Sequence, residues 1–253
     1  MKFSFTKITD IGNYRKQNQD NLEFYTNKND DALAIVCDGM GGHAKGEIAS
    51  KIAVENFGKI FKKSSFTGLT KNEINRWLRA TISEVLNDMV DYANLHPQTK
   101  DMGTTLTAVL FTGGFAYVVN IGDSRTYKLV EDRLYQVTQD QNLMNSTTPD
   151  EKEDIKMSGL YGYTNDVTFW KVLTSALGPN KTLKIDTYFI DQPYGLYMLT
   201  TDGVHDYIDD KIALVTLKND TIKLKEKAKM LVEDAKDNGS TDNLSILMVN
   251  VTN

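Results

Sequence analysis

Ala32-Leu33-Ala34-Ile35-Val36-Cys37-Asp38-Gly39-Met40-Gly41-Gly42-His43 decides how this chain is read. A short apolar run of this kind reads as a strand, and this one runs into a carboxylate. The pattern recurs. Phe115 to Ile121 ends in Gly122-Asp123-Ser124-Arg125, and Leu196 to Thr200 runs through Thr201 into Asp202-Gly203. Asp242-Asn243 opens the last apolar run, Leu244 to Val251. Strand ends are where a rigid scaffold aims side chains at one point. A single Asp-Gly is a turn signal. Two of them after buried runs, joined by Asp123 and Asp242, read as a site. Aspartates aimed at one point repel one another unless cations sit between them, so a multi-metal site with oxygen ligands is expected.

The bulk properties narrow the chemistry. At 253 residues, 40% hydrophobic and 25% charged, the chain has the composition of a globular protein. Its net charge of -5 argues against nucleic acid as the main ligand, which would require a basic face. No apolar run reaches membrane-spanning length, and Met1 to Thr6 lacks the pattern of a secretory signal. A cytoplasmic protein, with no membrane and no nucleic acid among its partners, is expected. The single cysteine, Cys37, excludes an intramolecular disulfide and a thiolate zinc cluster, and three histidines make a histidine-rich zinc site a poor fit. The metal should be hard: magnesium, manganese or calcium.

No internal repeat, low-complexity tract or Pro- or Ser-rich linker divides the chain, so one continuous domain over residues 1–253 is expected. Strands are expected at Lys2 to Thr9, Asn21 to Asn27 and Ala32 to Cys37. Two helices follow. One carries Ile48, Ile52, Ala53, Phe57, Ile60 and Phe61; the other starts at Thr70, which with Glu73 has capping-box spacing. Strands return at Thr104 to Phe111 and Phe115 to Ile121, around the hairpin signal Thr112-Gly113-Gly114, and a second hairpin spans Arg125 to Val137. Residues 143–172 are polar and read as a mobile insertion with one short helix. Strands at Leu183 to Ile190 and Leu196 to Thr200, a helix through Leu224 and Ala235 ending near Gly239, and a strand from Leu244 complete the chain. The order predicts an α+β fold with mainly antiparallel sheets.

Three enzyme classes fail on spacing. Gly39-Met40-Gly41-Gly42-His43-Ala44 fits a dinucleotide fingerprint. However, Lys59 to Lys63 lacks the expected acidic residue, a second helix follows instead of a parallel strand, and Asp38 would repel a pyrophosphate. Lys45-Gly46-Glu47 does not make a P-loop. No arginine follows Cys37 closely enough for a cysteine phosphatase, and its apolar run marks it as inert core.

Taken together, the motifs resemble a family. Arg15 with Asn18-Gln19-Asp20, then Asp38-Gly39-Met40-Gly41-Gly42-His43 with Gly46-Glu47, are similar to the opening of the metal-dependent serine/threonine protein phosphatases of the PPM (2C) type in their bacterial form. Gly103-Thr104-Thr105-Leu106, Gly122-Asp123-Ser124-Arg125, Leu173-Thr174-Ser175-Ala176-Leu177-Gly178, Thr201-Asp202-Gly203 and Asp242-Asn243 match the later motifs in order.

The resemblance implies a four-layer αββα sandwich, with two mainly antiparallel sheets flanked by helices and metals at one edge. It implies that Asp38 bridges two manganese or magnesium ions, that Gly39 offers its carbonyl to one, and that Asp202 and Asp242 complete the first. Asp20 would hold metal-bound water, Asp123 with Asp202 would form a third metal site, and Arg15 would clamp the substrate phosphate. A hydroxide shared by two cations would attack phosphoserine or phosphothreonine phosphorus in line. Phosphorylated proteins, a serine/threonine kinase among them, would be the partners of a monomer. His43 reads either as the general acid for the leaving oxygen or as a loop histidine shaping the glycine turn. Residues 143–172 resemble the family's flap, the natural place for substrate selection. Ser175 stands where many bacterial members carry arginine, and Gln141 where histidine is usual. A catalytically silent phosphatase-like binding module is the alternative reading.

Overall fold

Alternation along the strand Ala32–Met40 sets the layers. Leu33, Ile35 and Cys37 pack into one apolar cluster, and Ala32, Ala34 and Val36 into another, because successive strand side chains point to opposite faces. The computed structural model describes residues 1–41, 45–157 and 167–253. The strands are β1 (Lys2–Asp10), β2 (Asp20–Thr26), β3 (Ala32–Met40), β4 (Gly103–Thr104), β5 (Leu106–Thr112), β6 (Phe115–Ile121), β7 (Arg125–Val130), β8 (Arg133–Gln136), β9 (Asp186–Ile190), β10 (Gly195–Thr200) and β11 (Leu244–Thr252). They form a five-stranded sheet ordered β1-β11-β10-β7-β8 and a six-stranded sheet ordered β2-β3-β5-β6-β9, with β4 pairing to β3. Strand pairings among the described residues are antiparallel.

The two sheets face each other across Ala34, Val36, Val109 and Phe111 on one side and Tyr197, Leu199, Leu247 and Val249 on the other. Helices α1 (Lys45–Lys63) and α2 (Lys71–Leu95) cover the outer face of the six-stranded sheet, burying Phe57, Phe61, Leu78 and Ile82 against Leu33 and Ile35. The short helices α3 (Leu143–Ser146), α4 (Pro149–Met157) and α5 (Val167–Trp170) precede β9. After β10 come α6 (Asp202–His205), α7 (Asp210–Lys218) and α8 (Leu224–Asp237), which cover the five-stranded sheet through Val204, Ala213, Leu231 and Val232. This is the αββα order that the family resemblance implies. The chain leaves α2 into strands antiparallel to β3, which removes the parallel β-α-β unit a dinucleotide site needs.

Several boundaries differ from expectation. β3 continues past Cys37 because Gly39 and Met40 pair with Thr104 and Gly103. The strand expected from Leu183 starts only at Asp186; the backbone NH of Lys184 instead donates to Ser175 Oγ and Thr182 accepts from Ala176. α7 was missed because it buries Ala213, Thr216 and Leu217 but exposes Ile212 and Val215, so its apolar residues blur the helical period. The described part of 143–172 holds α3, α4 and α5 where one short helix was expected, and residues 158–166 lie outside the described residues.

The start of α2 is a capping box: Thr70 Oγ1 accepts from the Glu73 backbone and Glu73 Oε2 accepts from the Thr70 backbone NH at 2.8 Å. Thr70→Ala should therefore lower stability by about 1 kcal/mol, read as a reduced urea midpoint at unchanged slope, with Thr70→Ser near wild type.

Candidate active site

Both sheets deliver carboxylates to one end of the sandwich. Asp20 opens β2 and stands directly opposite Asp38 of β3 in the strand register. Asp123 lies in the turn from β6 to β7, Asp202 begins α6 as the chain leaves β10, and Asp242 lies just before β11. Because β10 and β11 are hydrogen-bonded neighbours, Asp202 and Asp242 meet despite their separation in sequence. Arg15, Asp38, Gly39, Asp123, Asp202 and Asp242 line a cavity of about 410 Å³. Asp20 is buried among them.

Backbone contacts hold these loops close. A Cβ on Gly39 would lie 2.1 Å from the Gly46 carbonyl oxygen, and one on Gly203 would lie 2.0 Å from that of Asn243. In both Asp-Gly pairs only a hydrogen at Cα lets the second chain approach. The Asp38 backbone is bracketed by the Gly103-Thr104-Thr105 segment. Its NH donates to Thr105 Oγ1 at 2.9 Å, and its carbonyl accepts from the Thr105 NH and the Thr104 hydroxyl, both at 2.8 Å. Asn243 pins the loop that carries Arg15. Its Oδ1 accepts from Gln19 N at 2.8 Å, and its Nδ2 donates to the carbonyls of Ile11 and Gln17 at 2.9 and 3.0 Å. Gln141 holds the turn before Asp123, accepting from Gly122 N at 2.8 Å and donating to Asp186 at 2.8 Å.

The electrostatics are unfavourable by design. Burial, reinforced by the charges of Asp202 and Asp242, pushes the Asp20 carboxyl up to about 7 against the hydroxyl bond from Thr201 at 2.9 Å. Burial pushes Asp123 up to about 8 and Asp202 to about 6, with neighbouring carboxylates adding to each. Asp38 rises well above its ordinary value, through burial first and then through Asp20, Asp202, Asp123 and Asp242. Asp202 Oδ1 is buried with no hydrogen-bond partner among the described residues. Asp242 is countered by Arg15, whose Nη2 donates to Asp242 Oδ2 at 2.6 Å.

An all-oxygen, anionic donor set with an orphaned carboxylate oxygen fits hard divalent cations. Among the described residues, no three histidine, cysteine, aspartate or glutamate side chains are arranged to hold an ion as they stand. The carboxylates ring the cavity, which suits ions that keep several of their own waters.

Of the residues singled out from sequence, Arg15, Asp20, Asp38, Gly39, Asp123, Asp202 and Asp242 come together here. His43 lies outside the described residues. Sequence reasoning missed Lys171, which lines the same cavity; a lone lysine in a polar segment carries no periodic or motif signal. It also missed the hub at Asn243, although the Asp242-Asn243 pair pointed to it. The buried His205 accepts or donates one bond with Thr200 Oγ1 at 3.0 Å and packs as structure. Arg125 is held by Asp140 at 2.7 and 2.9 Å.

Residues 14–235 match the family model described as protein phosphatase 2C. The chain is 33% identical over 245 residues to the serine/threonine phosphatase stp of Listeria monocytogenes, covering 95% of this chain and 93% of that protein. It superposes on the serine/threonine phosphatase Stp1 of Staphylococcus aureus with a TM-score of 0.82 at 25% identity, covering 100% of this chain and 96% of the other. With the catalytic domain of the phosphatase PstP, solved in complex with two manganese ions, the TM-score is 0.74 at 26% identity, covering 99% of both chains. With motifs, layer order and carboxylate cluster in agreement with these matches, the chain belongs to the protein phosphatase 2C (PPM) family.

Proposed function

We propose that this chain hydrolyses phosphoserine and phosphothreonine in proteins with divalent cations held at the carboxylate ring. The observation that carries the reading is the convergence of Asp38, Asp202 and Asp242 from two different sheets on one cavity that also receives Arg15. Asp38 and the Gly39 carbonyl would help to hold the cations, manganese or magnesium. Asp202 and Asp242 would complete the first cation, Asp20 would act through water, and Asp123 with Asp202 would take a third. Bound there, such ions lower the pKa of a water and offset charge on the phosphoryl oxygens.

The chain's own groups do the rest. Arg15, half exposed and paired with Asp242, has further guanidinium donors for phosphate oxygens, and its planar fork suits two of them at once. Asn243, by fixing the carbonyls of Ile11 and Gln17, sets where Arg15 stands. His43 remains a candidate to protonate the leaving oxygen, or to shape the glycine turn. The chain would act as one catalytic domain, with residues 143–172 as a flap beside the site. The same reading places it in the cytoplasm as a monomer opposing a serine/threonine kinase. Among the described residues no helix is long and apolar enough to cross a membrane. The silent binding-module reading is not favoured, since the carboxylate set is complete.

Asp38→Asn should abolish phosphate release from a phosphothreonine peptide in manganese while leaving the fold intact by circular dichroism, and a chelator should do the same to wild type. Normal turnover in folded Asp38→Asn would sink the assignment. Arg15→Ala should raise KM for the peptide more than it lowers kcat; an unchanged KM would remove Arg15 from the phosphate.

The raised carboxyls also predict a pH dependence. Asp20, Asp123 and Asp202 ionise in the folded protein at about 7, 8 and 6, against about 3.9 in an unfolded chain. A carboxyl shifted upward contributes stability below its unfolded pKa and loses it as pH rises through the folded value. The cation-free protein should therefore melt at lower temperature as pH rises from about 5 to about 8, and manganese should raise Tm more at about pH 8 than at about pH 6. Equal manganese shifts at both pH values would count against these carboxylates as ligands.

A further inference from the structure

Among the described residues lining the catalytic cavity, the cationic side chains are Arg15 and Lys171, and each rests on a carboxylate. They come from segments far apart in the chain. Arg15 comes from the loop between β1 and β2, and Lys171 directly follows α5. Lys171 Nζ donates to Asp206 Oδ2 at 2.6 Å, with its side chain 48% exposed and that of Asp206 19% exposed. Lys171 also lines an adjoining cavity of about 240 Å³, with Asp123, Asp140, Asp202 and Asp206, so it stands in the wall between the two.

Its backbone is fixed, and its ammonium is held by the bond to Asp206. Trp170 is buried, Leu143 N donates to the Val172 carbonyl at 3.0 Å, and Thr174 N donates to the Gln141 carbonyl at 2.9 Å. Gln141 in turn holds the turn before Asp123. The Lys171 main chain is thus registered to the carboxylate ring, and its ammonium, on a flexible stem, has donors beyond the one given to Asp206.

We propose that Lys171 is a substrate-binding residue that leaves Asp206 to take an anionic oxygen of the phosphoprotein. This rests on the phosphatase reading above. The lysine side of the pair is half exposed and screened by water, whereas Asp206 is only 19% exposed, so the substrate's anionic oxygen has to compete with a largely buried carboxylate for the ammonium. A charge-assisted bond to a phosphate or carboxylate at the mouth of the cavity is stronger. The other charged side chains of the cavity are the carboxylates proposed to hold the cations, so Lys171 is the one cationic side chain besides Arg15, among the described lining residues, that can meet an anionic group of the substrate. Asp206 holds that cation ready and competes with the substrate for it. The oxygen belongs either to the transferred phosphate or to an acidic side chain beside the phosphorylated residue.

The test is steady-state kinetics in manganese for wild type, Lys171→Ala, Lys171→Arg and Asp206→Asn. The substrates are p-nitrophenyl phosphate, a phosphothreonine peptide flanked by glutamates, and the same peptide flanked by glutamines. Lys171→Ala should raise KM for the glutamate-flanked peptide about tenfold with kcat within about twofold. Lys171→Arg should recover most of that loss, and Asp206→Asn should lower KM by freeing the lysine. A KM increase on all three substrates assigns the bond to the phosphate; an increase confined to the glutamate-flanked peptide assigns it to the flanking carboxylate. Two results overturn the proposal: KM unmoved in Lys171→Ala on every substrate, or KM raised alike by Lys171→Ala and Asp206→Asn, as a purely structural tie would give. Wild-type turnover alongside either result leaves the phosphatase reading standing, whereas wild type inactive on all three substrates overturns both.

Discussion

Repulsion among buried carboxylates is the constraint this structure is arranged around. Asp20 faces Asp38 across adjacent strands, a like-charge pairing that destabilises a sheet. Asp123, Asp202 and Asp242 add charge to the same poorly hydrated end. Nothing in the local sequence favours that arrangement, and burial makes it worse by weakening the screening that water would provide. The stabilising free energy comes from elsewhere, from the apolar layers in which both faces of β3, β5, β6, β10 and β11 are covered. A cluster of this kind, held by a scaffold that does not need it for its own stability, is what a cation-dependent site requires.

The means of holding it are mostly backbone contacts. Glycine appears twice for the same steric reason, letting α1 close on Gly39 and the last strand close on Gly203. Threonine hydroxyls at 104 and 105 lock both polar groups of the Asp38 backbone, and Asn243 ties the Arg15 loop to the start of β11. None of these side chains carries charge into the cavity. They fix where the charged ones stand, and their hydrogen bonds replace water that the closed loops exclude.

Two positions that depart from the family pattern become intelligible in this light. Gln141 bonds both the Gly122 amide and Asp186, so an uncharged amide orients the turn before Asp123. Ser175 is buried and closes on both backbone groups of Lys184, so no cation enters from that position. A second positive charge in the cavity comes instead from Lys171, just after α5.

The sequence by itself determined the layers and the acidic cluster. The continuous apolar run Ala32–Cys37 called for two covered faces, Thr70 with Glu73 marked a helix start, and aspartates stood at the ends of three apolar runs and at the start of a fourth. These features are local and periodic, so they survive without neighbours. It failed at α7, where apolar residues on the exposed face hide the period, and at the strand expected from Leu183, where hydrogen bonds to Ser175 and Ala176 compete with the sheet. Tertiary structure alone decided that Asp20 faces Asp38, that Arg15 rests on Asp242, and that Lys171 reaches the same cavity. Those are encounters between segments far apart in the chain, set by strand register and sheet packing, and no local pattern encodes them.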